Sequence, residues 1–401
     1  MPPMLDRLRS LRIAIALGTL MVVGGPAPAQ QTPTRIPLTT GLTFVSTLQA
    51  MAPDARQTAA GGQRGDREDV VVVDRVGPDG VRYRWSFTGG GAAGTEVEQG
   101  AFTRFVRTED LKAAPRVNLV FSSSDPERVP GATAFSLSSS VLRELRSAGQ
   151  TRLSYAELDD ALGGLLQDLT GGSADGASGL ARSIGMGLGG TRTYYRGTLS
   201  LVSPDPVALP LLINGRRTAF SALHARGRFA LRERQIELDF FVVPDPEHPL
   251  LLKITGHDAI WQVLRVDLPN ADAGGAIEAD LESECRAEIP GVYFAFAGAD
   301  VRAESVPALR AVAAILERHP AWTLAVEGHT DSIGSAAANG ALSARRAEAV
   351  RAALVATYGV AAGRLSSRGL GATRPRETNS TLEGRARNRR VELVRRCAPT
   401  D

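Results

Sequence analysis

Two charged residues in the C-terminal quarter of the chain could together bind a ligand. Asp331 lies where a predicted strand ends, and Arg346 lies fifteen positions later, about two turns into a predicted helix. An anion and a planar cation on adjacent elements suit a ligand that carries both charges, and the amide of Asn339 can donate and accept hydrogen bonds. The spacing is equally compatible with an ion pair between Asp331 and Arg346 that only closes the loop.

The elements predicted around this pair alternate between strand and helix. Apolar patterning predicts strands at 291–296, 322–327, 365–369 and 390–394. Helices are predicted after a capping Ser305 and at 336–358, where Gly359 follows as the terminating residue. This β-α-β-α-β order predicts a mixed sheet with helices packed on one side, within an α+β protein.

Three motifs in this region are specific in both order and spacing. They read GHTD at 328–331, N-x-x-L-S-x-x-R-A at 339–347 and N-x-T-x-x-G-R-A-x-N-R-R-V-E at 379–392. Over about residues 288–396 the sequence resembles the peptidoglycan-binding domain of the OmpA family. One departure is that Ala295 and Ala297 stand in the predicted first strand, where acids or asparagine are frequent in the family.

The resemblance implies non-covalent binding of peptidoglycan through the diaminopimelate of its stem peptide. It implies that Asp331 binds the ligand ammonium, that Arg346 clamps the carboxylate with two parallel hydrogen bonds, and that Thr330, Asn339 and Arg389 complete the pocket. Binding to a wall polymer with many identical sites would work through multivalency.

Neither catalysis nor a metal is indicated by the sequence. The five histidines show no metal-ligand spacing, the chain has no Gly-x-Ser-x-Gly motif, and His329 is predicted to be a packing residue. Apart from Arg389, the arginines between 385 and 396 are predicted to form a solvated face with one or two internal salt bridges. We therefore predict a protein that is not an enzyme and has no cofactor.

The N-terminus has the features of a secretory signal peptide, predicted at 1–29. A basic start precedes the apolar run 13–23, and small residues at 27–29 suit a cleavage site. An uncleaved anchor is the alternative. No later stretch is long and apolar enough for a transmembrane helix. The protein is expected in the Gram-negative periplasm, associated with the cell wall or the outer membrane.

Export changes the interpretation of the two cysteines. Cys285 and Cys397 flank the C-terminal module, and an oxidising compartment would favour a disulfide between them. In the loop-entropy model a bridge over about 110 residues stabilises by roughly 4 to 5 kcal/mol. Two unpaired thiols are the alternative.

The chain between signal and module is predicted to be mostly β-structure. A flexible stretch is predicted at 30–64, with a short helix near 41–51. A β-rich sandwich or open barrel is predicted at 65–268, with helices at 138–147 and 155–169. A linker with some helix near 277–281 follows at 269–286, and the C-terminal domain spans 287–397. Asn214-Gly215 predicts a type I′ hairpin turn.

Overall charge and composition limit the function. A net charge of +3 and only two lysines give no broad basic face for nucleic acid. The β-rich part is expected to bind an envelope protein. One alternative is a porin-like barrel in the outer membrane, although aromatic residues make up only 5% of the chain. Another is a wall-acting enzyme, with His224, Asp239, Asp245 and His257 as candidates.

Overall fold

The computed structural model describes residues 34–50, 68–88, 99–119, 121, 124–156, 194–256, 259–269, 272–295 and 298–397. The predicted signal peptide lies outside them. The strands are β1 Thr43–Ala50, β2 Glu68–Gly77, β3 Gly80–Thr88, β4 Gln99–Arg107, β5 Arg116–Asn118, β6 Glu127–Arg128, β7 Gln150–Ala156, β8 Tyr195–Leu201, β9 Val207–Ile213, β10 Arg216–Leu231, β11 Arg234–Val242, β12 Leu251–Thr255, β13 Ala259–Asp267, β14 Arg286–Glu288, β15 Leu324–His329, β16 Leu365–Gly371 and β17 Val391–Arg395. The α-helices are α1 Thr108–Ala113, α2 Ser139–Ala148, α3 Ala273–Ser283, α4 Val306–Arg318, α5 Ala336–Tyr358 and α6 Leu382–Asn388.

Strands β1–β13 form one sheet, which we call the β-rich region. Their order is β5-β7-β8-β10-β11-β12-β13-β1-β2-β3-β4-β6, and β9 pairs with β10 and β13. Along β10, buried and exposed residues largely alternate, as expected for a strand with one face in the core. One core cluster includes Phe44, Tyr83 and Phe220, and a second includes Tyr155 and Phe240. A β-rich N-terminal part is therefore confirmed.

Two local predictions in this region agree with the structure. The type I′ turn between β9 and β10 requires positive φ at both central residues, and φ is 47° at Asn214 and 75° at Gly215. Helix α2 begins after Ser138, whose hydroxyl accepts a hydrogen bond from the backbone N–H of Val141 at 3.4 Å.

Two other local predictions do not agree. The stretch predicted as a short helix within a flexible segment is strand β1, which pairs with both β2 and β13. Tertiary pairing overrides local propensity there. Tyr155 and Ala156, predicted to start a helix, end strand β7 instead. The rest of that predicted helix, 157–169, lies outside the described residues.

The C-terminal region, α3 to β17, contains a mixed sheet in the order β14-β17-β15-β16. Strands β15 and β16 are parallel, and β17 is antiparallel to β15. Helix α5 packs along β15 and β16, and apolar residues of α4, including Val312 and Leu316, join Val350 and Leu354 of α5 in the core. The predicted α+β class with a mixed C-terminal sheet is confirmed.

The prediction that residues 291–296 form the first strand of this sheet is wrong. At 291–295 the described backbone forms only an isolated bridge between Phe294 and Val301, and β14 takes the edge position beside β17. The hydroxyl of Ser305 accepts a hydrogen bond from the Tyr293 N–H instead of capping α4. These bonds use backbone groups that a continuous strand would need. Helix α6 was not predicted.

The segment 269–286, predicted as a linker, contains helix α3. Ile277 and Leu281 of this helix are buried in the core of the C-terminal region. At its end Cys285 forms a disulfide with Cys397 beyond β17, with Cα atoms 6.1 Å apart. Within the described part of the chain, no helix is long and apolar enough to cross a membrane.

Candidate functional site

Asp331 lies two residues beyond the end of β15, and the surrounding backbone holds its carboxylate. Its Oδ1 accepts a hydrogen bond from the Ile333 N–H at 2.9 Å, and its Oδ2 accepts one from Nη1 of Arg389 at 2.5 Å. Although Asp331 is only 6% exposed, each carboxylate oxygen can accept more than one hydrogen bond. The carboxylate is therefore rigid and retains acceptor capacity.

Arg346 extends from α5 and is held by its inner nitrogen. Nε donates to the Gly298 carbonyl at 2.8 Å, and the guanidinium lies 4.9 Å from the ring centroid of Phe294. Neither Nη group has a hydrogen-bond partner among the residues that the structure describes. Burial lowers the pKa of Arg346 to about 10, so the side chain remains a cation at neutral pH. Two donor groups are thus available to a ligand.

Asp331 and Arg346 line the same cavity, which has a volume of about 220 Å³. No ion pair joins the two side chains within the described residues, so the alternative that they only pair with each other does not hold. Pockets for drug-sized ligands measure about 300–1,000 Å³. A smaller cavity whose lining includes the carboxylate of Asp331 and the available guanidinium of Arg346 suits the charged head of a larger ligand.

Thr330 and Asn339 also line this cavity. The Thr330 hydroxyl is buried and has no hydrogen-bond partner in the described structure, so it can bond to a ligand. The Asn339 amide donates to the carbonyls of Asp331 at 3.2 Å and of Ile333 at 3.0 Å, which fixes the loop after β15. Asn339 therefore positions Asp331.

Arg389 lies in the cavity wall, but its guanidinium is engaged by protein carboxylates. Besides Asp331, it contacts Glu68 of the β-rich region through Nε at 3.1 Å and Nη2 at 2.6 Å. Sequence reasoning placed Arg389 at the pocket and missed Glu68, which lies 321 positions away along the chain. No motif marks Glu68, because the match to the family covers only the C-terminal part.

Two glycines explain how α5 brings Arg346 to the end of β15. A Cβ on Gly328 would lie 2.2 Å from the carbonyl oxygen of Ser343, and one on Gly369 would lie 2.2 Å from the backbone nitrogen of Ala344. A larger residue at either position would push the helix away from the sheet. The glycine of the GHTD motif is therefore a packing requirement of the site.

Beside the cavity, Glu327, His329 and Glu392 form a buried group whose ligand atoms lie within 4.8 Å of one another. Arginines engage both carboxylates, so the group is built as an ion network rather than as a metal site. Glu327 accepts hydrogen bonds from Arg286 Nη1 at 2.7 Å and from Arg368 Nε at 2.6 Å. Glu392 accepts them from Arg376 Nε at 2.9 Å, from Arg390 Nε at 2.6 Å and from Arg286 Nη1.

This network corrects the prediction of a solvated arginine face. Arg385 and Arg390 are only 8% and 7% exposed. Arg385 donates to the Asn379 carbonyl at 3.0 Å, and Arg390 pairs with Glu392. The difference arises because most of helix α6 and the first three residues of β17 are buried. His329 is buried, as predicted for a packing residue.

We expect Glu392→Gln to lower the free energy of unfolding by about 3 kcal/mol, because it leaves the buried guanidinium of Arg390 without its anion. Burial alone would raise the pKa of Glu392, but its cationic partners hold it well below the ordinary value. The carboxylate therefore stabilises the fold above its unfolded pKa of about 4.3, and this contribution is lost as the pH falls.

Urea unfolding of both proteins at neutral pH and below about pH 4 measures this effect. Glu348→Gln is the matched control, because Glu348 pairs with Arg351 on the exposed side of α5 and should contribute less than about 1 kcal/mol. Equal losses in the two variants would contradict a stabilising role for the buried network.

Two of the candidates for catalysis in the β-rich region lie together, and a third lies in a different pair. His224 bonds to Asp239 at 2.8 Å and stacks on Phe241, while Asp245 pairs with Arg35 at 3.0 Å. His257 lies outside the described residues. The described candidates thus form one hydrogen-bonded pair, His224 with Asp239, and one ion pair, Asp245 with Arg35.

Comparison with known proteins gives a match that is confined to part of the chain. The model of the OmpA family matches residues 293–389. Outer membrane porin F of Pseudomonas aeruginosa is 46% identical over 101 residues, which are 25% of this chain and 29% of that protein. The peptidoglycan-binding protein ArfA of Mycobacterium tuberculosis is 33% identical over 201 residues, which are 47% of this chain and 61% of ArfA.

Among solved structures, the peptidoglycan-associated lipoprotein from Burkholderia pseudomallei is 34% identical, with a TM-score of 0.25. The match covers 26% of this chain and 88% of that one. The chain thus spans less than two thirds of the length of the two sequence relatives. Motifs, mixed sheet and family match agree on the same residues, and the segment 293–389 of this protein is a domain of the OmpA family.

Proposed function

We propose that the C-terminal region binds peptidoglycan non-covalently, through the diaminopimelate of the stem peptide. The observation that carries this proposal is that Asp331 and Arg346 line one cavity without pairing with each other. The free end of diaminopimelate carries an ammonium and a carboxylate on one carbon. Asp331 accepts hydrogen bonds from the ammonium, and the two Nη groups of Arg346 clamp the carboxylate.

The other residues of the site have supporting roles in this proposal. Thr330 bonds to the ligand through its otherwise unpartnered hydroxyl, Asn339 holds the Asp331 loop, and Arg389 orients the Asp331 carboxylate. The name of the relative ArfA, a peptidoglycan-binding protein, supports the same ligand. The name of porin F supports a place in the cell envelope, where the β-rich region would be linked to the wall.

The proposed role is binding without catalysis. The carboxylates of Asp331 and Glu68 at the cavity are engaged by Arg389, and in the β-rich region Asp245 is engaged by Arg35. Recognition of a repeated stem peptide requires no bond to be broken. A weak single contact suffices, because a protein held near a polymer with many identical sites rebinds readily.

We expect the protein to sediment with purified sacculi that contain diaminopimelate and to remain in solution with sacculi that contain lysine instead. Lysine offers the ammonium but lacks the side-chain carboxylate that Arg346 clamps. Free meso-diaminopimelate should release the protein from the first type. Equal sedimentation with both types of sacculi, unaffected by the free amino acid, would refute recognition of diaminopimelate.

A further inference from the structure

The β-rich region forms one wall of the ligand cavity. Glu68 and Val70 from β2, together with Arg265 from β13, line it alongside Asp331 and Arg346. These three residues lie outside the segment 293–389, which matches the OmpA family. The site therefore includes side chains that the family resemblance does not provide.

Several contacts hold this wall in place. Tyr293 of the C-terminal region packs with Val45, Val70 and Val72 in one apolar cluster. Arg265 Nη2 donates to the Ala386 carbonyl at 3.2 Å. A second apolar cluster also spans both regions and consists of Leu212, Leu264, Leu382 and Ala386. Glu68 is thus carried by an element that is packed against the site, not by a loose loop.

Glu68 changes the net charge of the side chains beside Asp331 in the cavity. Arg389 bonds to Asp331 at 2.5 Å on one side and to Glu68 at 2.6 Å on the other. Burial alone would raise the pKa of Glu68, but the charges of Arg389 and Arg265 keep it below the ordinary value, so it is an anion at neutral pH. Two carboxylates and one guanidinium leave one negative charge on this cluster.

Without Glu68, the cluster would be neutral. Arg389 would then cancel Asp331 at very short range, and the ligand ammonium would face no net negative charge. Arg265 has Glu68, Asp267 and Glu288 as its acidic neighbours, and Arg302 has Glu304 and Asp69. Asp267 and Glu288 remain beside Arg265 when Glu68 is removed.

We propose that Glu68, from outside the family domain, is a specificity-determining residue that makes the Asp331 side of the site select a ligand ammonium. This inference rests on the proposed function. The cluster of Asp331, Arg389 and Glu68 carries one negative charge for the ammonium, and Arg346 carries one positive charge for the carboxylate. The two charges of a zwitterion are matched only when both regions contribute.

The test measures binding of two synthetic peptides to the full mature chain by calorimetric titration. One peptide is the stem tripeptide that ends in meso-diaminopimelate, and the other carries 2-aminopimelate in its place. The second peptide keeps the side-chain carboxylate and lacks the ammonium. The ratio of the two dissociation constants therefore reports selection of the ammonium alone.

For Glu68→Gln we expect about tenfold weaker binding of the diaminopimelate peptide and little change for the analogue, so most of the selectivity is lost. Glu68→Asp retains the charge and should restore part of the selectivity. The matched control is Glu377→Gln, which removes an ion pair between the two regions, Arg217 to Glu377 at 3.2 Å, away from the cavity. It should bind both peptides as the wild type does.

Unchanged selectivity in Glu68→Gln would overturn the inference, and tighter binding would make Glu68 a competitor of the ligand instead. If Glu377→Gln also lost selectivity, the loss in Glu68→Gln would be due to weakened contact between the two regions. That result would also overturn the inference about Glu68. These outcomes differ from failure of the proposed function, in which the wild type binds neither peptide or Arg346→Ala binds both normally.

Discussion

Alanine at either Asp331 or Arg346 is expected to abolish sedimentation with sacculi that contain diaminopimelate. Each substitution removes the partner of one ligand charge at a site where Asp331 is only 6% exposed, and such losses reduce affinity by about a hundredfold or more. The loss is amplified on a polymer, because avidity depends on the affinity of each single contact. The measurement is the fraction of protein in the pellet as the amount of sacculi increases.

The control for this prediction lies next to Arg346 on the same helix. Arg345 is exposed and does not line the cavity, so Arg345→Ala removes the same charge without touching the site. Asp331→Asn keeps an oxygen for the Ile333 N–H and should also fail to sediment, which separates loss of charge from loss of the loop. Normal pellets for both alanine variants, with the fold intact, would exclude the assigned site.

Cys285→Ser is expected to lower stability by roughly 4 kcal/mol under oxidising conditions, because the disulfide closes a loop over 112 positions. The bridge ties the end of α3 to the segment after β17, so both ends of the C-terminal region lose freedom in the unfolded chain when it forms. Thermal unfolding, with and without reductant, measures the effect.

The reduced wild type serves as the reference for a protein without the disulfide. It should melt at the same temperature as reduced Cys285→Ser, and Cys397→Ser should behave like Cys285→Ser under oxidising conditions. The chain has only these two cysteines, so no other thiol can replace the lost partner. A wild type whose melting temperature does not respond to reductant would show that the bridge contributes nothing to stability.

Much of the C-terminal region could be predicted from sequence, because local signals and tertiary structure agree there. The helix predicted at 336–358 has these bounds in the structure, and Gly359 ends it in the left-handed conformation. Asp331 and Arg346 were identified by motif spacing, and the structure places both at one cavity. Strand alternation and the Asn214-Gly215 turn likewise gave the β-rich class and one hairpin.

Other features depended on partners that are distant in sequence. Strand β1 contains no signal that separates it from a short helix, and its pairing with β2 and β13 decides its conformation. The buried state of Glu392 depends on arginines from several elements, Arg286 and Arg376 among them. The sequence alone does not show whether a charged residue is buried, because burial depends on which oppositely charged residues pack against it.

The motifs by themselves indicated two residues that line the cavity, because a fixed spacing along one strand and one helix brings Asp331 and Arg346 together. Only the tertiary structure decided the charge of the site. Glu68 reaches Arg389 across 321 positions, and electrostatic effects depend on distance in space rather than on order in the chain.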